Sequence, residues 1–175
     1  MKVRNMALCA LFAALMALCA WISIPMGDVA ITMQTFALFL TLGVLGGKRG
    51  TIAVSIYLLL GIVGLPVFSG FQGGLGTLLG ATGGYIAGFL FTALIYWLVT
   101  ALARDRHLFR LLGMVLGLFA CYLLGSLWFR FGYLPEGSLG FGAVLLKCVV
   151  PYLLPDGLKL ALALLMTRKL KRFVY

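Results

Sequence analysis

The clearest indication of how this chain folds is the segment Pro155-Asp156-Gly157-Leu158-Lys159-Leu160-Ala161-Leu162-Ala163-Leu164-Leu165-Met166. It places two ionisable residues in an otherwise apolar run. A charge in the hydrocarbon core of a bilayer costs at least about 2.5 kcal/mol, so such residues usually mark functional sites. Positions i and i+3 of a helix share a face, so Asp156 and Lys159 are predicted to point together into protein or a cavity. This pair is either a ligand site or a structural ion pair that ties helices together.

The composition is typical of a polytopic membrane protein. Of 175 residues, 63% are hydrophobic and 10% are charged, and the mean hydropathy is +1.14. Because about 20 apolar residues cross a bilayer, roughly six spans fit and little remains for a soluble domain. We therefore predict an all-α integral membrane protein, a single six-helix transmembrane domain over residues 1–175. The predicted spans are 5–25, 33–47, 50–65, 78–103, 110–130 and 143–168.

The net charge of +10 indicates topology rather than nucleic-acid binding. Eleven of the 14 Lys and Arg residues lie in four short segments, 2–4, 48–49, 104–110 and 168–172. These segments alternate with pairs of spans, as the positive-inside rule requires, so both termini are predicted to be cytoplasmic. Asp28, Glu136 and Asp156 fall on the opposite side or within a span. The apolar run from Met6 to about Ile24 is too long for a signal peptide and is interpreted as a retained first span.

The three outer connections, 25–32, 64–77 and 130–137, are rich in Gly, Pro and aromatic residues. Irregular backbone at membrane depth is tolerated only where it is buried or lines a cavity. We expect these loops to fold inward as a lid over an outward-facing pocket.

The depth of the charged pair follows from its distance along the last helix. If Arg168 marks the cytoplasmic interface, Lys159 lies about 13 Å and Asp156 about 18 Å into the bilayer at 1.5 Å per residue. Lys159 is then near the midplane and Asp156 in the outer half of a core of roughly 30 Å. Pro155 is predicted to open the regular part of that helix, since proline favours a first turn.

Other polar and aromatic residues gather at the same outer ends of the spans. A pocket of this make-up, mostly apolar with a few placed polar groups, is typical of small-molecule sites. The polar candidates are Thr32, Gln34, Thr35, Thr82, Tyr85, Ser126 and Arg130, and the candidate walls are Phe68, Tyr85, Tyr122 and Tyr152.

Motifs for several enzyme classes are missing from the sequence. Gly47-Lys48 does not complete a Walker A motif, and neither G-x-S-x-G nor H-E-x-x-H occurs. His107, the single histidine, lies among arginines and is interpreted as a solvated turn residue. The four cysteines have no metal-ligand spacing and are predicted to be buried thiols. We therefore expect no catalytic residue, no metal and no cofactor.

The first span contains two small-xxx-small pairs, Ala10 with Ala14 and Ala13 with Ala17. Such spacing lets another helix approach closely. The partner helix lies either within this chain's own bundle or in a separate membrane subunit.

Several segments in order resemble one family over nearly the whole chain. They are Ile31-Thr32-Met33-Gln34-Thr35-Phe36, Gly64-Leu65-Pro66-Val67-Phe68, Gly73-Gly74-Leu75-Gly76, Thr82-Gly83-Gly84-Tyr85, and Pro151-Tyr152 through Asp156 and Lys159. The chain resembles the BioY family, the biotin-specific substrate-binding subunits of energy-coupling-factor transporters. It departs from the family at Ala81, where proline is frequent, and at Gly157, where a bulkier residue is common.

The resemblance implies a six-span membrane subunit without enzymatic activity, in the plasma membrane of a bacterium or archaeon. It implies capture of biotin from outside and delivery inward with a transmembrane coupling subunit and two ATPases, which use the ATP. Asp156 and Lys159 match the family's polar ligand contacts. Ala10 and Ala14 match its docking surface.

Biotin chemistry fits these residues. Asp156 can accept the ureido N–H groups, while Lys159 can meet the ureido carbonyl, pair with Asp156 or reach the carboxylate. Gln34, Thr35 and Arg130 are secondary candidates, Arg130 for the carboxylate. The alternatives are a subunit for another vitamin such as thiamine or riboflavin, a small membrane enzyme acting on lipids, and a scaffold without a ligand.

Overall fold

The computed structural model describes residues 3–102, 107–135 and 139–174. Lys2, Arg104, Arg106 and Glu136, which entered the topology prediction, lie outside these ranges. The described chain is helical apart from one short hairpin. Its elements are α1 (Val3–Trp21), β1 (Ser23–Ile24), β2 (Ile31–Thr32), α2 (Gln34–Ile62), a 3₁₀ turn (Ser69–Phe71), α3 (Leu75–Leu79), α4 (Gly83–Leu102), α5 (His107–Trp128) with a π-helical turn (Phe129–Tyr133), α6 (Phe141–Cys148) and α7 (Val150–Val174).

Within the described ranges, five helices are long and apolar enough to cross a membrane. They are α1, α2, α4, α5 with its π-helical turn, and α7. Large apolar side chains remain exposed on their outer faces, as expected where lipid is the solvent. Examples are Leu94, Leu98, Phe119, Leu123 and Leu162. The prediction of a helical protein with several helices of membrane-spanning length and composition is confirmed.

Helix α2 consists of two halves that fold back on each other at Gly46. The backbone there has φ 77° and ψ 177°, a conformation essentially restricted to glycine. Side chains of the two halves contact each other across the turn: the Gln34 side chain of the first half donates to the Tyr57 hydroxyl of the second half at 2.6 Å. Leu42 lies only 2.9 Å from where a Cβ on Gly50 would stand. In each contact the two residues are about equally far from Gly46 along the sequence. The two halves are therefore antiparallel, and they correspond to the predicted spans 33–47 and 50–65.

The predicted start of the last helix was wrong. Helix α7 already begins at Val150 and contains Pro155 in its interior. Pro151, not Pro155, occupies the first turn, where the missing N–H group costs nothing. Pro155 would have donated to the carbonyl of residue 151, so the helix loses one hydrogen bond there and continues. The predicted span 143–168 therefore comprises α6, a break at Val149 and α7.

The two ends of the bundle differ in character. At one end, the Arg49 guanidinium donates to the Asn5 side chain at 3.1 Å, near the basic turn that joins the halves of α2. At the other end, the Trp21 indole N–H donates to the Pro66 carbonyl at 2.8 Å. The β1–β2 hairpin, with Ser23 opposite Thr32, lies at this second end. The hairpin and the loop at Pro66 therefore lie opposite the basic turn that joins the halves of α2.

The four cysteines, Cys9, Cys19, Cys121 and Cys148, are free and buried. The prediction that they are buried thiols is confirmed.

Candidate functional site

A cavity of about 390 Å³ lies at the loop end, enclosed by α2, α4, α5, α7 and two of the loops. Its size falls within the range of roughly 300–1,000 Å³ that is usual for small-molecule sites. Eight of the nine residues predicted to bind ligand line it. They are Gln34, Thr35, Phe68, Thr82, Tyr85, Tyr152, Asp156 and Lys159.

The Asp156 carboxylate is the most heavily bonded group in the cavity, and its residue is only 3% exposed. Its Oδ1 accepts from the Lys159 ammonium at 2.7 Å and from the Thr35 hydroxyl at 2.8 Å. Its Oδ2 accepts from the Tyr122 hydroxyl at 2.7 Å. Three helices, α2, α5 and α7, thus hold one carboxylate in a fixed orientation, and Oδ2 retains a lone pair for a further donor.

Lys159 is 8% exposed and lies one turn beyond Asp156 on α7. Burying a charge is costly unless it is paired, and Asp156 supplies the counter-charge. An ammonium carries three donor hydrogens, of which Asp156 takes one. Lys159 therefore serves as the structural partner of Asp156 and still faces the cavity with donor capacity.

Two of the three connections predicted to form the lid contribute residues to the lining of the cavity. Asp28, Val29 and Ala30 contribute from the first loop and Phe68, Ser69 and Gly70 from the second. Val29 is held by the Tyr152 hydroxyl, which donates to its carbonyl. Residues 130–135, the described part of the third connection before residue 139, contribute nothing to the lining.

The Phe68 ring packs directly against Gly61, which has no side chain. A Cβ on Gly61 would stand 2.0 Å from the Phe68 ring. The ring also meets Tyr57 edge-on, with centroids 5.6 Å apart. The Tyr57 hydroxyl in turn donates to the Val67 carbonyl at 3.1 Å. The second loop is therefore fastened to the second half of α2 by packing and by a hydrogen bond.

Gln34 links the same loop to the hairpin. Its amide donates to Tyr57, and its Oε1 accepts from the Thr32 hydroxyl at 2.9 Å. Much of its bonding capacity is therefore used inside the protein. Tyr85 lies across the cavity, where its hydroxyl is 3.5 Å from Ser126 Oγ. Ser126 itself is fully buried behind Tyr85 and does not line the cavity.

Arg130, the ninth predicted ligand residue, does not line the cavity. Its guanidinium lies 5.3 Å from the centroid of the Phe131 ring. A regular helix would place Arg130 on the face of Tyr122 and Ser126, at i+8 and i+4. Arg130 lies in the π-helical turn Phe129–Tyr133 instead of a regular helix. Of the described residues that line the cavity, only Lys159 is a lysine or an arginine.

Two features of the site were missed from the sequence. Tyr122 was predicted as an apolar wall, yet its hydroxyl bonds the central carboxylate. At the mouth, Lys147 pairs with Asp28 at 2.5 Å. The hydrogen bond to Asp28 raises the pKa of Lys147 above its usual value. Tyr122 and Ser126 lie four residues apart and so share one face of the helix. This spacing was the sequence signal that the Tyr122 hydroxyl belongs to a polar face.

The two alanine pairs of α1 lie in different surroundings. Ala13 and Ala17 are buried in the core of this chain's own bundle, so their predicted role in docking was wrong. Ala10 and Ala14 are exposed on the opposite face. A helix that is apolar all round gives no sequence signal for which small-residue pair faces inward.

Within the described part of the chain, no three His, Cys, Asp or Glu side chains group closely enough to hold a metal ion. His107 is exposed at the first residue of α5, away from the 390 Å³ cavity.

Comparison with known proteins gives a consistent result. The BioY family model matches residues 1–175. The chain is 40% identical over 174 residues to the biotin transporter BioY of Thermotoga maritima, with 97% of each chain covered. It is 38% identical over 172 residues to the probable biotin transporter BioY of Pyrococcus horikoshii, with 98% of each covered. Among solved structures, the S-component for biotin from an ECF-type ABC transporter matches with a TM-score of 0.85 and 27% identity, covering 98% of this chain and 92% of that one.

Proposed function

The chain belongs to the BioY family, and on that premise we propose that it is the biotin-binding membrane subunit of an energy-coupling-factor transporter. The observation that carries the proposal is the Asp156 carboxylate, held by Thr35, Tyr122 and Lys159 at the wall of a covered cavity. The relatives are transporters, and the role assigned to this chain is binding and delivery rather than catalysis.

The cavity offers a partner for each part of biotin. One ureido N–H group donates to Asp156, whose Oδ2 has an unused lone pair, and the ureido carbonyl accepts from Lys159. The ring body packs between Phe68 and Tyr85. The valerate chain extends toward the mouth, where Lys147 and Asp28 form the rim pair. With Arg130 outside the cavity, Lys159 and the rim lysine are the remaining cations for the carboxylate.

The topology we propose is six spans in one domain over residues 1–175. Counting the antiparallel halves of α2 separately adds one span to the five long helices. An even number places both termini on one side, and the basic turns identify that side as cytoplasmic. The cavity then opens outward. The membrane is the plasma membrane of a bacterium or archaeon.

The partners follow from the same assignment. A transmembrane coupling subunit docks on the exposed face of α1 at Ala10 and Ala14, and two ATPases bound to it use ATP to drive transport. Small residues at i and i+4 support this placement because they let a second helix approach closely.

A vitamin panel tests the function. The purified chain in neutral detergent is titrated with biotin, thiamine and riboflavin at equilibrium. The proposal expects saturable binding of biotin with one site per chain and no measurable binding of the other two. Preference for thiamine or riboflavin would identify a subunit for a different vitamin. No binding of any ligand by folded protein would favour a scaffold.

A further inference from the structure

A groove of about 590 Å³ lies between α4 and α5. It has none of its described lining residues in common with the ligand cavity, and the function proposed above does not use it. Its lining comprises Gly84, Ala87, Phe91, Leu124, Leu127, Trp128, Phe131 and Gly132. We call this the α4–α5 groove.

Close packing of the two helices gives the groove fixed walls. A Cβ on Gly84 would overlap the Trp128 side chain and would stand 2.9 Å from the Leu124 carbonyl oxygen. A Cβ on Gly132 would stand 2.9 Å from the Trp128 ring. The Trp128 indole N–H also donates to the Gly80 carbonyl at 3.0 Å. The tryptophan wall is therefore held in place by packing and by a hydrogen bond.

The groove runs from the loop end of the bundle toward its middle. Helix α4 begins at this end, and Phe91 lies about 10 Å deeper than Gly84 at 1.5 Å per residue. Helix α5 ends here, and Leu124 lies about 6 Å deeper than Trp128. Ala87 and Phe91 are exposed. In a membrane, this apolar wall therefore faces the acyl chains of lipids.

A cation lies at the loop end of the groove. The Arg130 guanidinium is 5.3 Å from the centroid of the Phe131 ring, and that ring lines the groove. The two acidic residues within the described ranges both pair with lysines instead. Trp128 and Tyr133 lie on either side of Arg130 along the chain, and such aromatic residues are enriched at the membrane interface. The guanidinium is therefore expected at the depth of lipid headgroups.

We propose that the α4–α5 groove binds one phospholipid of the leaflet at the loop end, which is the outer leaflet in the topology proposed above. The lipid phosphate meets Arg130, whose planar guanidinium matches the geometry of phosphate oxygens. One acyl chain lies along Ala87, Phe91 and Leu124. A free phosphate would leave the apolar wall without a partner, and an apolar helix of a second copy would leave the guanidinium without one.

Native mass spectrometry of the whole chain in neutral detergent tests this proposal with three probes. They are phosphatidylglycerol, diacylglycerol with the same acyl chains, and water-soluble glycerol phosphate. We expect one saturable phosphatidylglycerol adduct, about tenfold weaker binding of diacylglycerol, and no displacement by glycerol phosphate at equal concentration. Equal binding of the two lipids, or displacement by glycerol phosphate, would overturn the assignment to a phospholipid.

A pair of arginine variants separates a site from a diffuse charge effect. Arg130→Gln removes the guanidinium beside the groove, and Arg172→Gln makes the same change at the other end of the bundle. Because hydrogen bonds to charged groups are strong, Arg130→Gln should lose about tenfold in phosphatidylglycerol affinity. Arg172→Gln should stay within about threefold. Equal losses would mean diffuse attraction and refute the site.

A second pair of variants tests the apolar wall. Ala87→Phe places a ring in the groove, and Ala101→Phe makes the same change on the exposed surface of α4 outside the lining. Ala87→Phe should weaken the phosphatidylglycerol adduct about tenfold, whereas Ala101→Phe should leave it within about threefold. An unchanged adduct in Ala87→Phe would contradict the proposal. A dimer of the chain that Ala87→Phe abolishes would show a protein interface instead and would also overturn it.

Biotin binding serves as the control for all four variants. It should stay within about twofold in each, which shows that the variants fold and separates this test from the proposed function. A loss of biotin affinity confined to Arg130→Gln would place the guanidinium at the biotin carboxylate, and the lipid assignment would be wrong.

Discussion

Replacing Asp156 by Asn removes one negative charge with almost no change in shape. In the natural chain this carboxylate accepts from Lys159 at 2.7 Å and from Tyr122 at 2.7 Å. The variant leaves the Lys159 ammonium, 8% exposed, without its counter-charge. Removing one partner of a buried ion pair costs about 3–5 kcal/mol, so the free energy of unfolding should fall by up to that amount.

Biotin binding should weaken in the same variant for a separate reason. Hydrogen bonds to a charged group contribute about 1.5–3 kcal/mol, which corresponds to a loss of roughly tenfold to 150-fold in affinity. The double variant Asp156→Asn/Lys159→Met distinguishes the two effects, because it removes both buried charges. We expect it to regain most of the stability and to remain weak in binding.

The assays are thermal unfolding and equilibrium binding of labelled biotin, both in detergent. Asp28→Asn is the matched control, since it makes the same chemical change in a pair whose side chains are 38% and 50% exposed. Exposed pairs contribute little to stability, so its free energy of unfolding should fall by no more than about 1 kcal/mol. If Asp156→Asn binds biotin as tightly as the natural chain, the role assigned to Asp156 is refuted.

Three further predictions concern the surrounding structure. Tyr122→Phe removes one donor to the central carboxylate and should weaken biotin binding about threefold to tenfold; unchanged affinity in a titration would contradict a positioning role. Gly46→Ala should cost about 1–3 kcal/mol in unfolding free energy, whereas Gly157→Ala, with open space inside α7, should be neutral or stabilising; equal melting temperatures would exclude the restricted turn. Ala14→Trp should abolish co-purification with the coupling subunit while biotin binding persists, and Leu98→Trp on exposed α4 should leave both intact; retention of the subunit by Ala14→Trp would move the docking surface elsewhere.

The most predictable parts of this protein follow from strong physical costs. A charge in an apolar helix is expensive, so Asp156 and Lys159 are conspicuous in the sequence itself. A hairpin turn between apolar segments needs a residue that tolerates positive φ, and Gly46 followed by Gly47, Lys48 and Arg49 supplies that signal. Residues of two loops line the cavity, in agreement with the rule that irregular backbone in a membrane protein is tolerated where it is buried or lines a cavity.

The errors have local causes that periodicity does not reveal. Arg130 lies in a π-helical turn that the sequence pattern did not predict, and it does not line the cavity. Two prolines four residues apart, Pro151 and Pro155, compete for the start of α7, and Pro151 takes the first turn. Gly157 has open space around it and lies within an unbroken helix, so this departure from the family leaves the helix intact.

The most direct test of the central claim is whether the ureido N–H groups of biotin and the Asp156 carboxylate interact. Affinities are measured for biotin and for an analogue methylated on both ureido nitrogens, with the natural chain and with Asp156→Asn. We predict that methylation weakens binding to the natural chain by about 100-fold, and that the loss is at least tenfold smaller in the variant. The same loss in both proteins, or no loss in the natural chain, would contradict the claim that Asp156 recognises the ureido ring.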